Sequence, residues 1–271
     1  MRLPHPVLRD GPLLIAHRGG SGLAPENTLA AFESAVSLWQ SDMIELDVRT
    51  TRDGHAVVIH DPTVDRTTNG SGPVDQFTLA QLQALDAGYR FSRDGSSFPF
   101  RGKGVRVPTF DEVLSAVPEL RITVEVKTAS VQKPLFTAIQ RAHAEHRIIA
   151  AGERRGFRTE FSRWTGCLSA CREDAMPFFI LHQIHLGWLA PLRVDVVQIS
   201  EYLGRRRALT PRLIRELHGR GILVHVWTVN EIEDMHRLLD WGVDGILTDR
   251  PDRLAAVLHE RVGRPLPPGL P

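Results

Sequence analysis

At 271 residues, 42% of them hydrophobic, the chain is long enough for one large α/β barrel or for two small domains. Its 33 basic and 32 acidic residues leave a net charge of +1, which gives no electrostatic reason for nucleic acid or an anionic membrane as an obligate partner. Two cysteines, Cys167 and Cys171, are too few for a disulfide framework, and no apolar run nears the roughly 20 residues that a transmembrane helix needs.

In chain order, Met1–Gly11 holds Pro4, His5, Pro6 and Asp10 and no apolar leader core, so a soluble, cytoplasmic protein without stable membrane insertion is expected. Leu13–Ala16 reads as a short buried strand that runs into His17-Arg18-Gly19-Gly20, a loop at its C-terminal end. Pro25-Glu26-Asn27-Thr28 opens a helix carrying Leu29, Phe32, Val36 and Trp39. Met43–Val48 then alternates Glu45 and Asp47 with Ile44, Leu46 and Val48, so on a period-two strand both carboxylates share a face. Two unpaired carboxylates in an apolar layer would cost several kcal/mol, roughly, so that face needs a positive partner.

The turn Thr51-Arg52-Asp53-Gly54 predicts a hairpin to Ala56–Ile59 in which Thr50 opposes His55 and Glu45 opposes His60, with Asp61 following. Residues 62–107, rich in Gly, Ser, Thr, Asp and Arg with a short helical pattern at Leu79, Leu82 and Leu85, read as an inserted subdomain that caps a site. Thr109 with Glu112 makes a capping box. Arg121–Lys127 is a strand ending in Glu125 and Lys127. Helix from Pro134 to Ala144, strand from Arg147 to Ala151, helix from Phe157 to Trp164, strand from Gly166 to Ala170 and helix from Met176 to Trp188 follow.

Val194–Ser200 is a buried strand and Thr210-Pro211 starts a helix that Gly221 closes. Ile222–Val229 is a strand, Asn230-x-x-Glu233 predicts the next helix cap, and Gly245–Asp249 is the last strand. Four prolines in Gly263–Pro271 predict a disordered tail. Strands alternating with helices argue for a closed (β/α)8 TIM barrel spanning residues 1–262. No G-x-G-x-x-G follows the first strand, which argues against an open nucleotide-binding sheet. Nine strand-like segments make one surplus, and the hairpin return, antiparallel, is the candidate.

Barrel chemistry gathers at the C-terminal ends of strands, where His17-Arg18, Glu45 with Asp47, Glu125 with Lys127, and Trp227 all fall; His60-Asp61 joins through the hairpin. Taken singly, each has a plainer explanation: a satisfied polar His, a solvated strand face, a strand-end ion pair, a packed Trp. Together they form a pattern. Three carboxylates suit one hard divalent cation, Mg2+ or Ca2+, better than zinc. Two histidines suit acid-base work, and Arg18 and Lys127 offer charge to an anion, for which a phosphoryl group is the natural candidate. The pairs His143-x-x-His146 and His182-x-x-His185 lack a third ligand and read as ordinary helix residues. The Arg-rich runs 154–163 and 205–220 read as solvated faces.

The pieces His17-Arg18-Gly19, Pro25-Glu26-Asn27-Thr28, Ile44-Glu45-Leu46-Asp47-Val48, Val58-Ile59-His60-Asp61, Glu125-Val126-Lys127, Trp227-Thr228-Val229-Asn230 and Gly245-Ile246-x-Thr248-Asp249-x-Pro251 occur in one order across nearly the whole chain. In them the sequence resembles the glycerophosphodiester phosphodiesterases. The resemblance implies a barrel with an insertion after the His60 strand and hydrolysis of small-molecule glycerophosphodiesters to glycerol 3-phosphate and an alcohol. It implies a metal on Glu45, Asp47 and Glu125, acid-base roles for His17 and His60, and substrate contacts from Arg18, Lys127 and Trp227. Glu26, Asn27 and Asp61 would order the site. Ala150-Ala151-Gly152-Glu153 stands where the family has a Ser-Phe pair, which bears on substrate preference. The rival readings are a lysophospholipase D, which needs an apolar rim at the mouth, and an inactive barrel serving as a binding module.

Overall fold

The computed structural model describes residues 5–270, so the start of the Met1–Gly11 segment and Pro271 of the tail lie outside the described residues. Strands β1 (Leu13–Ala16), β2 (Met43–Thr50), β3 (Ala56–Val58), β4 (Arg121–Val126), β5 (Ile148–Ala151) and β6 (Cys167–Leu168) come first. They are followed by β7 (Val196–Ser200), the small pair β8 (Tyr202–Leu203) and β9 (Arg206–Arg207), β10 (Leu223–Trp227) and β11 (Gly245–Thr248). Helices α1 (Leu29–Ser37), α2 (Leu79–Gln83), α3 (Phe110–Ala116), α4 (Gln132–Arg141), α5 (Arg172–Gln183), α6 (Pro211–His218), α7 (Ile232–Asp240) and α8 (Pro251–Val262) alternate with them.

Eight strands run parallel in the order β6-β5-β4-β2-β1-β11-β10-β7. A bridge from Ser169 to Val196 brings β6 against β7, so the ring nearly closes as a (β/α)8 barrel. The surplus strand is the hairpin return: β3 pairs antiparallel with β2 outside the ring. The parallel strands are buried on both faces, by helices outside and by the opposite wall inside, and β2 is apolar outward while its inward face carries Glu45 and Asp47 after Met43. Ile44, Leu46 and Val48 pack outward with Phe32 of α1 and Phe110 of α3. Leu13, Ile15, Met43, Ile149, Val196 and Leu247 fill the barrel interior, and Val7 and Leu8 join them from a 3-10 turn at Pro6–Leu8. That packing fills the lower part of the barrel and leaves the C-terminal ends of the strands for polar side chains.

Several expectations change. The hairpin register is Thr50 against Ala56 and Val48 against Val58, one residue off the predicted pairing. The loop is a residue longer because Thr51 keeps both partners: its N–H donates to the His55 carbonyl at 3.0 Å and its Oγ1 accepts the His55 N–H at 2.9 Å. Residues 155–163 form two 3-10 turns where a helix is predicted. Asn230 does not cap α7, whose N-cap is Glu231 without a side-chain bond. The tail lies against the barrel in residues 264–270: Arg264 pairs with Asp42 at 2.7 Å and the Gly269 N–H donates to the Leu38 carbonyl at 2.8 Å. Between β3 and α3 the chain leaves the ring and packs a small core of its own around Val64, Val74, Leu82 and Val107, continuous with Val57 and Ile59.

Candidate active site

β1 ends at Ala16 and tightens at once into a 3-10 turn over His17–Gly19, in which Arg18 takes φ 51° and Gly19 φ 83°. A Cβ on Gly19 would sit 2.7 Å from that of Ala31, so this turn seats on α1 only with glycine there. Both His17 and Arg18 consequently line the cleft at the barrel mouth, which has a volume of about 510 Å3.

The carboxylates come from neighbouring strands. The parallel register of β2 and β4 sets Asp47 beside Glu125 and Glu45 beside Thr123. Glu45, Asp47 and Glu125 thus bring carboxylate oxygens within 4.8 Å of one another, and among the described residues this is the one cluster of three or more acidic, His or Cys side chains with such spacing. Lys127 bridges two of them, its Nζ 2.9 Å from Asp47 Oδ1 and 2.9 Å from Glu125 Oε2. Asn27, itself buried at φ 58°, grips Asp47 twice: Nδ2 donates to Oδ2 at 2.9 Å and Oδ1 accepts the Asp47 N–H at 3.3 Å. Arg18 donates its N–H to Glu45 Oε2 at 3.1 Å and holds Nε 3.3 Å from Asp47 Oδ2.

Each histidine has a carboxylate behind it. His17 Nδ1 lies 2.6 Å from Asp249 Oδ1, and His60 Nδ1 lies 2.7 Å from Asp61 Oδ1. An ionised carboxylate only accepts, so both Nδ1 atoms donate, and in the neutral ring the free acceptor is Nε2. His17 Nε2 is 3.9 Å from Glu45 Oε2. The hairpin ladder does not place His60: β3 ends at Val58, the chain turns, and Arg49 Nε fixes the His60 carbonyl at 2.8 Å.

Charge in the cleft is uneven. Burial, and next the Asp47 carboxylate, push Glu45 well above the ordinary range. Burial raises Asp47 too, but Lys127 and Arg18 outweigh it and hold that acid low. Burial also lowers His17, yet the Asp249 bond and the charges of Glu45 and Asp249 carry it above its usual value. Glu45 is therefore a fully buried acid whose charge the chain's own cations do not balance. An all-oxygen donor set around such a group fits a hard divalent cation of the Mg2+ or Ca2+ type.

Of the residues predicted from sequence, His17, Arg18, Glu45, His60, Glu125 and Lys127 line one cleft. Trp227, 45% exposed at the end of β10, stands on its rim. Asp47 lies beneath with 1% of its side chain exposed, Asn27 holds it, and Glu26 and Asp61 stand behind Arg18 and His60. The His143/His146 and His182/His185 pairs gather no such cluster; His182 instead binds Glu216 at 2.6 Å. Cys167 and Cys171 are buried and enter no disulfide.

Asp249, Asn230 and Arg66 are the residues the sequence did not assign. Asn230 Nδ2 donates to Asp249 Oδ2 at 2.8 Å and its Oδ1 accepts the Asp249 N–H at 2.9 Å, which is why it is not a helix cap. The signal for Asp249 was its place directly after the last strand, where a barrel puts its chemistry.

The family model for the glycerophosphoryl diester phosphodiesterase family matches residues 17–253. The chain is 37% identical to a glycerophosphodiester phosphodiesterase from Caldanaerobacter subterraneus subsp. tengcongensis over 92% of its own length and 98% of that protein. Among solved structures, the glycerophosphoryl diester phosphodiesterase domain of an uncharacterised Mycobacterium tuberculosis protein superposes with a TM-score of 0.79 at 22% identity, over 93% of this chain and 100% of that one. An Oleispira antarctica phosphodiesterase, solved in complex with the product sn-glycerol-3-phosphate, superposes with a TM-score of 0.73 at 21% identity, over 91% and 96%.

Proposed function

The chain belongs to the glycerophosphoryl diester phosphodiesterase family, and we propose that it hydrolyses glycerophosphodiesters to glycerol 3-phosphate and an alcohol with one divalent cation, Mg2+ or Ca2+, and two histidines. The observation that carries this reading is the pairing of two carboxylate-backed imidazoles, His17 with Asp249 and His60 with Asp61, in the cleft that also holds Glu45, Asp47 and Glu125.

Glu45, Asp47 and Glu125 are the residues that would hold the cation, which when bound supplies Lewis-acid polarisation of phosphate and glycerol oxygens. Arg18 and Lys127 face the phosphate and offset its charge. With Nδ1 donated to a carboxylate, each imidazole presents Nε2 to the cleft. One Nε2 takes the proton of the attacking oxygen, from water or from the glycerol 2-hydroxyl, and the other imidazole, protonated, delivers a proton to the leaving alcohol. Where the 2-hydroxyl attacks, water then opens the resulting cyclic phosphate with the two roles exchanged, giving glycerol 3-phosphate. Trp227 covers the substrate from the rim. The carboxylate behind each ring stabilises the imidazolium while it carries charge.

The test is release of glycerol 3-phosphate from glycerophosphocholine with Mg2+ or Ca2+ supplied. EDTA abolishes turnover and restored cation recovers it, while His17→Ala and His60→Ala each reduce kcat by about 10²–10⁴-fold, the usual range for an acid-base group. Turnover that survives both EDTA and His17→Ala would sink the scheme.

A further inference from the structure

Residues 62–107 read from sequence as a cap over a site, yet none of them lines the cleft, and one of their side chains, Arg66, is directed at the protein's own acids. Arg66 spans two carboxylates at once. Its Nη1 and Nη2 donate to Glu26 Oε2 and Oε1 at 2.6 and 2.7 Å, and its Nε and Nη2 donate to Asp61 Oδ2 and Oδ1 at 2.7 and 3.2 Å. One oxygen of each carboxylate also serves a second partner. Glu26 Oε1 accepts Arg18 Nη1 at 3.0 Å, and Asp61 Oδ1 accepts His60 Nδ1 at 2.7 Å. The result is one unbroken chain, Arg18-Glu26-Arg66-Asp61-His60, joining the guanidinium at the end of β1 to the imidazole that follows β3.

We infer that Arg66 is a positioning residue: it fixes the phosphate-facing Arg18 and the proton-carrying His60 relative to each other by clamping the acid behind each. A guanidinium does this because its donors lie in one rigid plane and four bonds can be aimed at two carboxylates. A lysine ammonium is a point charge and does not span both. With Arg66 removed, Glu26 keeps only Arg18 and Asp61 keeps only His60, so the two halves of the site lose their common reference. Asp61 ionisation has the same anchor, since the Arg66 hydrogen bonds are the largest influence holding that carboxyl low. Arg66 is half exposed, so the clamp is not part of the packed core.

The kinetic arm of the test rests on the phosphodiesterase reading; the spectroscopic arm does not. Arg66→Gln lowers kcat/KM for glycerophosphocholine by about 10- to 100-fold, the size expected when supporting groups behind a reacting group are lost, with the melting temperature nearly unchanged. Arg66→Lys stays as impaired as Arg66→Gln. In an Asp61→Asn background the Arg66→Gln substitution costs markedly less than in the native chain, because part of its target is gone. Ring 15N shifts of His60 move away from the single Nδ1–H tautomer in Arg66→Gln, with no substrate or metal present. Native kcat/KM in Arg66→Gln, full recovery in Arg66→Lys, or unchanged His60 15N shifts overturns the inference. Should Arg66→Gln fail to fold, Arg66→Lys, which keeps the charge, is compared with the native protein by the same two readouts. If the native protein itself turns over no glycerophosphodiester, the functional reading falls and the 15N result alone decides the role of Arg66.

Discussion

Asp249 accepts from His17 while Asn230 and Ser21 donate to it, so a carboxylate at the end of the last strand is committed to one imidazole tautomer. Burial raises its pKa, but the bond to His17 wins and leaves it far below the ordinary range. Asp249→Asn keeps the size and removes an acceptor, which permits the wrong tautomer of His17. We expect kcat to fall by roughly 10²–10⁴-fold, in line with the loss of an imidazole-orienting acid elsewhere, while thermal unfolding stays close to native. Equal kcat in the variant would remove Asp249 from the catalytic account. Glu45 and Asp47 were legible from the sequence because two acids at i and i+2 on an apolar strand need a reason. Asp249 and Arg66 were not, since no local pattern relates His17 to a residue 232 positions away.

At the scale of elements, chain punctuation was the most readable feature. Thr109 and Glu112 form the predicted capping box: Thr109 Oγ1 accepts the Glu112 N–H at 3.1 Å and Glu112 Oε2 accepts the Thr109 N–H at 2.7 Å. Thr109→Ala is expected to cost about 1 kcal/mol in urea unfolding with kcat unchanged, because α3 packs on the outside of the ring and none of its residues lines the cleft. Loss of activity without loss of stability would contradict that division. Asn230 shows where local pattern fails. Its spacing to Glu233 satisfies the cap rule, but the side chain makes three bonds to the end of β11, two to Asp249 and one to Thr248 Oγ1 at 3.1 Å. A side chain with a fixed number of donors goes to the buried partners first, and α7 starts without it. The hairpin register slipped for a similar reason, the Thr51 hydroxyl having claimed the His55 N–H.

The barrel as a whole carries a buried liability. His225, fully buried on β10 beside Gly245, has neither ring nitrogen hydrogen-bonded among the described residues. Burial alone drives its pKa down to about 3, against about 6.5 in an unfolded chain. Below about pH 6.5 the unfolded state therefore binds a proton that the folded state refuses, so this contribution to stability is present at neutral pH and is lost as pH falls from about 6.5 toward 3. His225→Met is expected to flatten the loss of unfolding free energy over that window, measured by urea titration at successive pH values. An identical pH slope in the variant would assign the acid sensitivity to other groups.

The sequence by itself determined the alternation of strands and helices, the fold class, and the identity of the acids, histidines and cations at the strand ends. These follow from short-range rules of periodicity, capping and turn chemistry, whose causes lie within a few residues of their effects. Tertiary structure alone decided the partners: the β2–β4 register that sets Asp47 beside Glu125, the closure that brings Asp249 to His17, and the return of the inserted segment that lays Arg66 across Glu26 and Asp61. Hydrogen bonds and ion pairs act over a few ångströms of space, whatever the separation along the chain, so their partners are fixed only when the barrel closes.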